Sequence, residues 1–204
     1  MTLKDLVSVG LLVFMLSLSV AASAEEDYDD EGSPYSRSGV YVFLGGSAGI
    51  DQAAEDELED ILGDVGVSDG LGFKTKLGYR SFPWLATELE VEYLQGIDVD
   101  FVGIDALELE YVTVTVNAKI YLPLGRFQPF GLLGVGLMNA SFEDSLGLGF
   151  EDDFTGGAVR AGGGIDVYLT DHLAVTVDIS YVLPTEDVED LDYLSIGWGL
   201  QYKF

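Results

Sequence analysis

The stretch from Gly70 to Leu94, GLGFKTKLGYRSFPWLATELEVEYL, decides what kind of fold this chain makes. In its first half Leu71, Phe73, Leu77 and Tyr79 alternate with Gly72, Lys74, Lys76, Gly78 and Arg80. A short connection, Ser81–Trp84, follows, and then Leu85, Leu89, Val91 and Tyr93 oppose Glu88, Glu90 and Glu92. A period of two puts successive side chains on opposite faces of an extended strand, so each half has one apolar face and one charged or small face. Two such runs joined by a proline-containing turn predict an antiparallel hairpin. Lysines line the polar face of one strand and glutamates that of the next, and opposite charges on neighbouring strands attract.

The same alternation recurs on both sides of this hairpin. The candidate strands are Val40–Gly49, Leu71–Arg80, Leu85–Leu94, Tyr111–Leu122, Phe130–Asn139, Thr155–Leu169, Leu173–Val182 and Tyr193–Phe204. Several have about the 9–11 residues that a tilted strand needs to cross a bilayer. The connections Ser81–Trp84, Pro123–Pro129 and Thr170–His172 are short, whereas Ile50–Gly70, Gln95–Glu110, Ala140–Phe154 and Leu183–Asp192 are longer and acidic. Short turns at one end and long loops at the other fit an all-β fold, an eight-stranded antiparallel up-and-down transmembrane β-barrel. Both termini would then lie in the periplasm and the acidic loops outside the cell.

Alternation leaves open which face points outward, because a soluble lipocalin-like barrel would put the apolar face inside. Placement of charge favours apolar-out. Six of the nine basic residues, Lys74, Lys76, Arg80, Lys119, Arg160 and Lys203, fall on polar faces. Lys74, Lys76, Arg80, Lys119 and Arg160, with Glu88, Glu90, Glu92, Asp166 and Asp178, are expected to form a lumen salt-bridge network, in which pairing offsets desolvation. Gly134, Gly136, Gly162, Gly164, Gly197 and Gly199 share those faces, as a narrow interior requires. Tyr79, Trp84, Tyr121, Phe130 and Tyr168, joined by Tyr202 and Phe204, gather at the short-turn end as an expected aromatic girdle. Phe73, Tyr93, Tyr111 and Tyr181 are candidates for the girdle at the other end.

The chain is expected to begin with an export signal. Lys4 precedes the apolar run Leu6–Val20, which is shorter than the roughly 20 residues of a spanning helix. Ala22-Ser23-Ala24 forms an A-x-A site, so cleavage is expected after Ala24, leaving Glu25 first. The expected domains are therefore a signal peptide (1–24), an acidic disordered tail (25–38) and the barrel (39–204). With no cysteine, disulfides and thiol chemistry are excluded. A net charge of −27 excludes a nucleic-acid partner, and 48% hydrophobic residues exclude a disordered acidic chain.

The terminal segment Ile196-Gly197-Trp198-Gly199-Leu200-Gln201-Tyr202-Lys203-Phe204 resembles the last strand of bacterial outer-membrane barrels. Gly199, Tyr202 and Phe204 match the ending that the barrel-assembly machinery reads, and Gly197 stands where that ending often has a polar residue. With Gly70–Leu94 and Gly162–Tyr181, it makes the region from Gly39 to Phe204 similar to the OmpA/OmpX-like barrel family. The resemblance implies a small outer-membrane barrel inserted by that machinery. A peptidoglycan-binding domain and a cell-wall tether are not expected.

Chemistry-bearing motifs are few. His172, the one histidine, lies in the expected turn Thr170–His172 beside Asp171 and is expected to be solvated. Lipid A-modifying barrel enzymes use a histidine near the outer leaflet, and none stands at that end here. No catalytic residue, metal site or cofactor is therefore expected. The segment Ile50–Asp69 contains eight acids, and Ala54, Leu58, Ile61 and Leu62 follow the spacing of a short helix ending at Gly63. Asp98-Val99-Asp100 and Glu151-Asp152-Asp153 offer oxygen ligands, but neither matches a twelve-residue calcium loop. The expected protein is a non-enzymatic, monomeric barrel with a largely closed lumen, serving membrane integrity or surface interaction. Its expected partners are membrane lipid and lipopolysaccharide, bridged by divalent cations. The alternatives are a narrow OmpW-like channel for small or apolar solutes and, further off, a lipid A-modifying enzyme.

Overall fold

The computed structural model describes residues 33–51, 70–101, 104–143, 152–185 and 192–204. Its strands are β1 (Gly39–Asp51), β2 (Gly70–Phe82), β3 (Leu85–Phe101), β4 (Ile104–Tyr121), β5 (Phe127–Glu143), β6 (Asp152–Tyr168), β7 (Leu173–Pro184) and β8 (Tyr193–Lys203). Each pairs antiparallel with the next and β1 closes on β8, so the eight-stranded up-and-down barrel has no free edge. A closed ladder satisfies every strand's backbone internally, which is the condition for crossing lipid with strands.

Exposure follows the predicted parity. Leu44, Leu71, Phe73, Ile120, Leu133, Val135 and Leu200 point outward and are more than half exposed, while Lys74, Glu88, Lys119, Arg160 and Asp166 are fully buried in the lumen. A water-soluble barrel would show the reverse, so the lipocalin-like alternative is overturned. The polar side chains are kept from lipid and the apolar ones form the continuous belt that a hydrocarbon layer accepts.

Two expectations about extent change. Gln95–Glu110, expected as a loop, is mostly strand: β3 runs on to Phe101, β4 starts at Ile104, and Asp98 stands opposite Glu108. Likewise β5 reaches Glu143 and β6 begins at Asp152, with Ser141 opposite Asp153. Beyond the hydrocarbon layer neither face needs to be apolar, so the period-two signal fades while the backbone ladder continues. The cleavage residues Ala22, Ala24 and Glu25, the first-loop helix, and the side chains of Asp98, Asp100 and Glu151–Asp153 lie outside the described residues.

The tail is corrected at its end. Residues 33–38, expected to be disordered, form a turn against the short-turn mouth: the Ser36 amide donates to the Ser33 carbonyl at 2.9 Å, and the Ser38 hydroxyl to the Ser81 carbonyl at 3.1 Å.

Candidate functional site

The lumen is where the chain concentrates its chemistry. Strand register creates part of it directly, since Lys74 stands opposite Glu92 and Lys76 opposite Glu90 on β2 and β3. The remainder crosses the barrel. From β7, Asp178 takes Lys74 at 3.1 Å and Lys76 at 2.9 Å. From β6, Arg160 spreads its fork over β3, with Nη1 at 2.8 Å from Glu90 and Nη2 on Glu92. Lys74 also lies 3.5 Å from Glu90 and 3.4 Å from Glu92. Three cations and three carboxylates thus form one neutral group.

A second group lies nearer the short-turn mouth. Lys119 from β4 is 3.2 Å from Glu88 and 3.3 Å from Asp166. Tyr41 donates to Glu88 at 2.6 Å, and Tyr121 and Thr176 donate to Asp166 at 2.9 and 2.8 Å. One cation faces two carboxylates here, and Arg80, whose guanidinium lies 4.0 Å from the centre of the Tyr121 ring, brings the charge count level.

Arg80 nevertheless departs from its expected place in the network. It is buried, but its bonds go to neutral acceptors: the Gln128 amide oxygen at 2.6 Å, the Tyr35 carbonyl at 3.2 Å, the Phe82 carbonyl at 3.4 Å and the Pro83 carbonyl. Among the described residues it makes no ion pair. The sequence pattern showed that it faces inward, not that it lies below the last carboxylate layer.

Small residues make room for these groups. A Cβ on Gly197 would sit 2.9 Å from both the Lys74 ammonium and an Asp178 oxygen, so any side chain there intrudes on that pair. Across the β1–β8 seam, Gly199 faces Gly45, and a Cβ on Gly199 would lie 2.8 Å from the Phe43 ring, itself buried in the lumen. Tyr202 and Phe204, the other two residues of the expected assembly signal, are exposed on the outer face with ring centres 5.1 Å apart.

Apolar layers bound the charges at both ends. Toward the long-loop end, Leu94, Tyr111, Met138, Ala140, Ala158, Val182 and Tyr193 form a buried cluster, with the Tyr111 and Tyr193 rings stacked at 5.8 Å. Tyr193 ties this layer to the charges by bonding Thr113 at 2.9 Å and Glu92 at 3.2 Å. Toward the short turns, Tyr41, Ala86, Tyr121, Phe130 and Leu132 form the other.

These layers correct the girdle. Tyr79 and Trp84 do face outward, but Tyr121, Phe130 and Tyr168 are buried in the lumen, as is Tyr111. Parity was the available signal: Tyr121 shares its face with Lys119, Phe130 with Gln128, and Tyr168 with Asp166. Parity alone also marked the missed partners, among them Asn117, which donates to Glu90 at 2.9 Å, and Ser195, which donates to Glu92 at 2.6 Å. His172 stands apart, exposed in the turn between β6 and β7. No cluster of ligands suited to a metal ion occurs among the described residues.

Known proteins of the same build place the chain in context. No curated protein matches it in sequence. Neisserial surface protein A superposes with a TM-score of 0.60 at 14% identity, covering 81% of this chain and 96% of that one. The outer membrane protein OprG of Pseudomonas aeruginosa gives 0.57 at 18% identity, covering 85% and 99%. Ail, the attachment invasion locus protein of Yersinia pestis, gives 0.51 at 15% identity, covering 82% and 97%. Residues 10–204 match the outer membrane protein beta-barrel domain, and with the closed, lipid-facing barrel described above, this chain belongs to that family of bacterial outer-membrane proteins.

Proposed function

We propose that the protein is a non-enzymatic, largely closed barrel that maintains the outer membrane or meets surface molecules through its acidic loops. The observation that carries this is the filled lumen, whose buried ions satisfy one another between two apolar layers. The termini then lie in the periplasm and the long loops outside, the usual arrangement of barrels with short periplasmic turns. Gly199, Tyr202 and Phe204 serve insertion by the barrel-assembly machinery, and the barrel acts as a monomer.

Charge specifies the surface partner. Ail has been solved in complex with the heparin analogue sucrose octasulfate, a polyanion. Here the four long connections carry no Lys, Arg or His, and Ile50–Asp69 alone carries eight acids. A polyanion meets repulsion at such a face unless divalent cations bridge it, so lipopolysaccharide phosphates with Mg²⁺ or Ca²⁺ are the proposed contact.

The test replaces the eight acids of Ile50–Asp69 by Asn and Gln and measures uptake of an apolar fluorescent probe by intact cells. The wild type should restrict uptake in a Mg²⁺-dependent manner beyond that of cells lacking the protein, and the neutralised variant should lose that dependence. Equal uptake in all three strains would remove the membrane-integrity role.

A further inference from the structure

The tail residues nearest the barrel do more than lead into it. Gly39, at the start of β1, has φ of +153°, a backbone conformation that L side chains rarely adopt, and the chain before it turns across the mouth. From there residues 33–38 touch five parts of the rim. Ser38 bonds the Ser81 carbonyl of β2. The Tyr35 ring lies 5.4 Å from that of Tyr168 on β6 and 5.5 Å from the Arg126 guanidinium of the β4–β5 turn. The Tyr35 carbonyl accepts from Arg80 of β2 at 3.2 Å and from Lys203 of β8 at 3.5 Å. Arg37 meets Nε2 of His172 in the β6–β7 turn at 3.0 Å. A guanidinium only donates, so Nε2 of His172 is the acceptor of that contact.

Ser36 is 3% exposed, although it belongs to a six-residue stretch outside the strands. Arg80 explains why such a stretch would be held. Its charge is buried at the mouth with neutral acceptors only, the Gln128 amide oxygen and the Phe82, Pro83 and Tyr35 carbonyls, and a buried cation that loses one of them is destabilised. The Tyr35 carbonyl supplies one, and the turn of chain around it keeps the site covered.

We propose that residues 33–38 are a strap that folds as part of the barrel, seals its short-turn mouth and completes the coordination of Arg80. This deepens the closed-barrel reading and can fail separately from it, because the two apolar layers lie above the strap and do not include it. The strap is keyed by the Tyr35 carbonyl and ring and latched by Arg37 on His172. Opening it exposes Arg80 to the aqueous space at that end.

The chain's lack of cysteine allows single thiols to report on this. Ser36→Cys and Ser38→Cys would be made separately in the full chain, folded in lipid, and reacted with a charged methanethiosulfonate. Ser38 is exposed and should react at close to the rate of the urea-unfolded chain. Ser36→Cys should react at least about tenfold more slowly, since local opening must come first. Adding Tyr35→Ala should restore most of the rate while the barrel keeps its compact mobility on unboiled gels. Should Tyr35→Ala not fold, His172→Ala takes its place and should speed labelling several-fold, with His172→Gln, which keeps an acceptor, closer to wild type. Ser36→Cys reacting as fast as Ser38→Cys, or protection unchanged in the variants, would overturn the proposal.

Discussion

Removing the guanidinium of Arg160 would leave Glu90 and Glu92 buried without the fork that spans them. Losing one partner of a buried ion pair costs about 3–5 kcal/mol, because the remaining charge keeps its desolvation penalty without its compensation. Arg160→Met should therefore lower the stability of the lipid-folded barrel by about that amount in urea titration, and Arg160→Lys, which keeps charge without the fork, by less. A loss near zero for Arg160→Met would mean that the lumen is wet enough to solvate both glutamates. Which residues face the lumen was legible from parity alone. Which of them pair was legible only for strand neighbours such as Lys74 and Glu92, because that register follows from one tight turn. The reach of Arg160 from β6 to β3 depends on closure of the whole barrel, and no local pattern encodes it.

For the strands, existence and inward–outward phase were legible throughout, and extent was not. Alternation marks a strand only where one face meets lipid and the other does not, so β3 and β4 outran their signal above the bilayer. The aromatic residues misled for a related reason. Tyr121, Phe130 and Tyr168 suit a membrane interface by composition and position along the axis, yet their parity puts them on the face of Lys119, Gln128 and Asp166. In a strand the phase outranks composition. The lipid-facing phase makes a depth-dependent prediction. Val135, outward on β5 and 62% exposed, stands opposite Val116 and Val159 along the central part of the ladder. Leu169, 51% exposed, lies just beyond β6 at the turn. Val135→Arg should cost about 2–4 kcal/mol in lipid and Leu169→Arg about 0–1 kcal/mol. Equal costs in a urea titration would contradict the assigned depths.

Across the molecule, the layers stack along the barrel axis in an order no single strand reveals. A stacked tyrosine layer, two charge-balanced groups, an aromatic layer and the strap of residues 33–38 succeed one another from the long loops to the short turns. The closed topology was legible because eight alternating segments with short and long connections leave few arrangements. The strap was not, because six acids before it make the tail's composition that of a disordered segment, and only the mouth of the finished barrel offers Tyr35 and Arg37 their partners. Electrical recording settles whether this stack closes the lumen. The purified barrel, shown by its gel mobility to be folded, would be inserted into a planar lipid bilayer and held under voltage in concentrated salt. The filled lumen predicts no ion-conducting steps above the bare membrane. Steady single-channel steps, persisting after repurification and altered by Arg160→Met, would show that the charges line an open path and would make the protein a narrow channel instead.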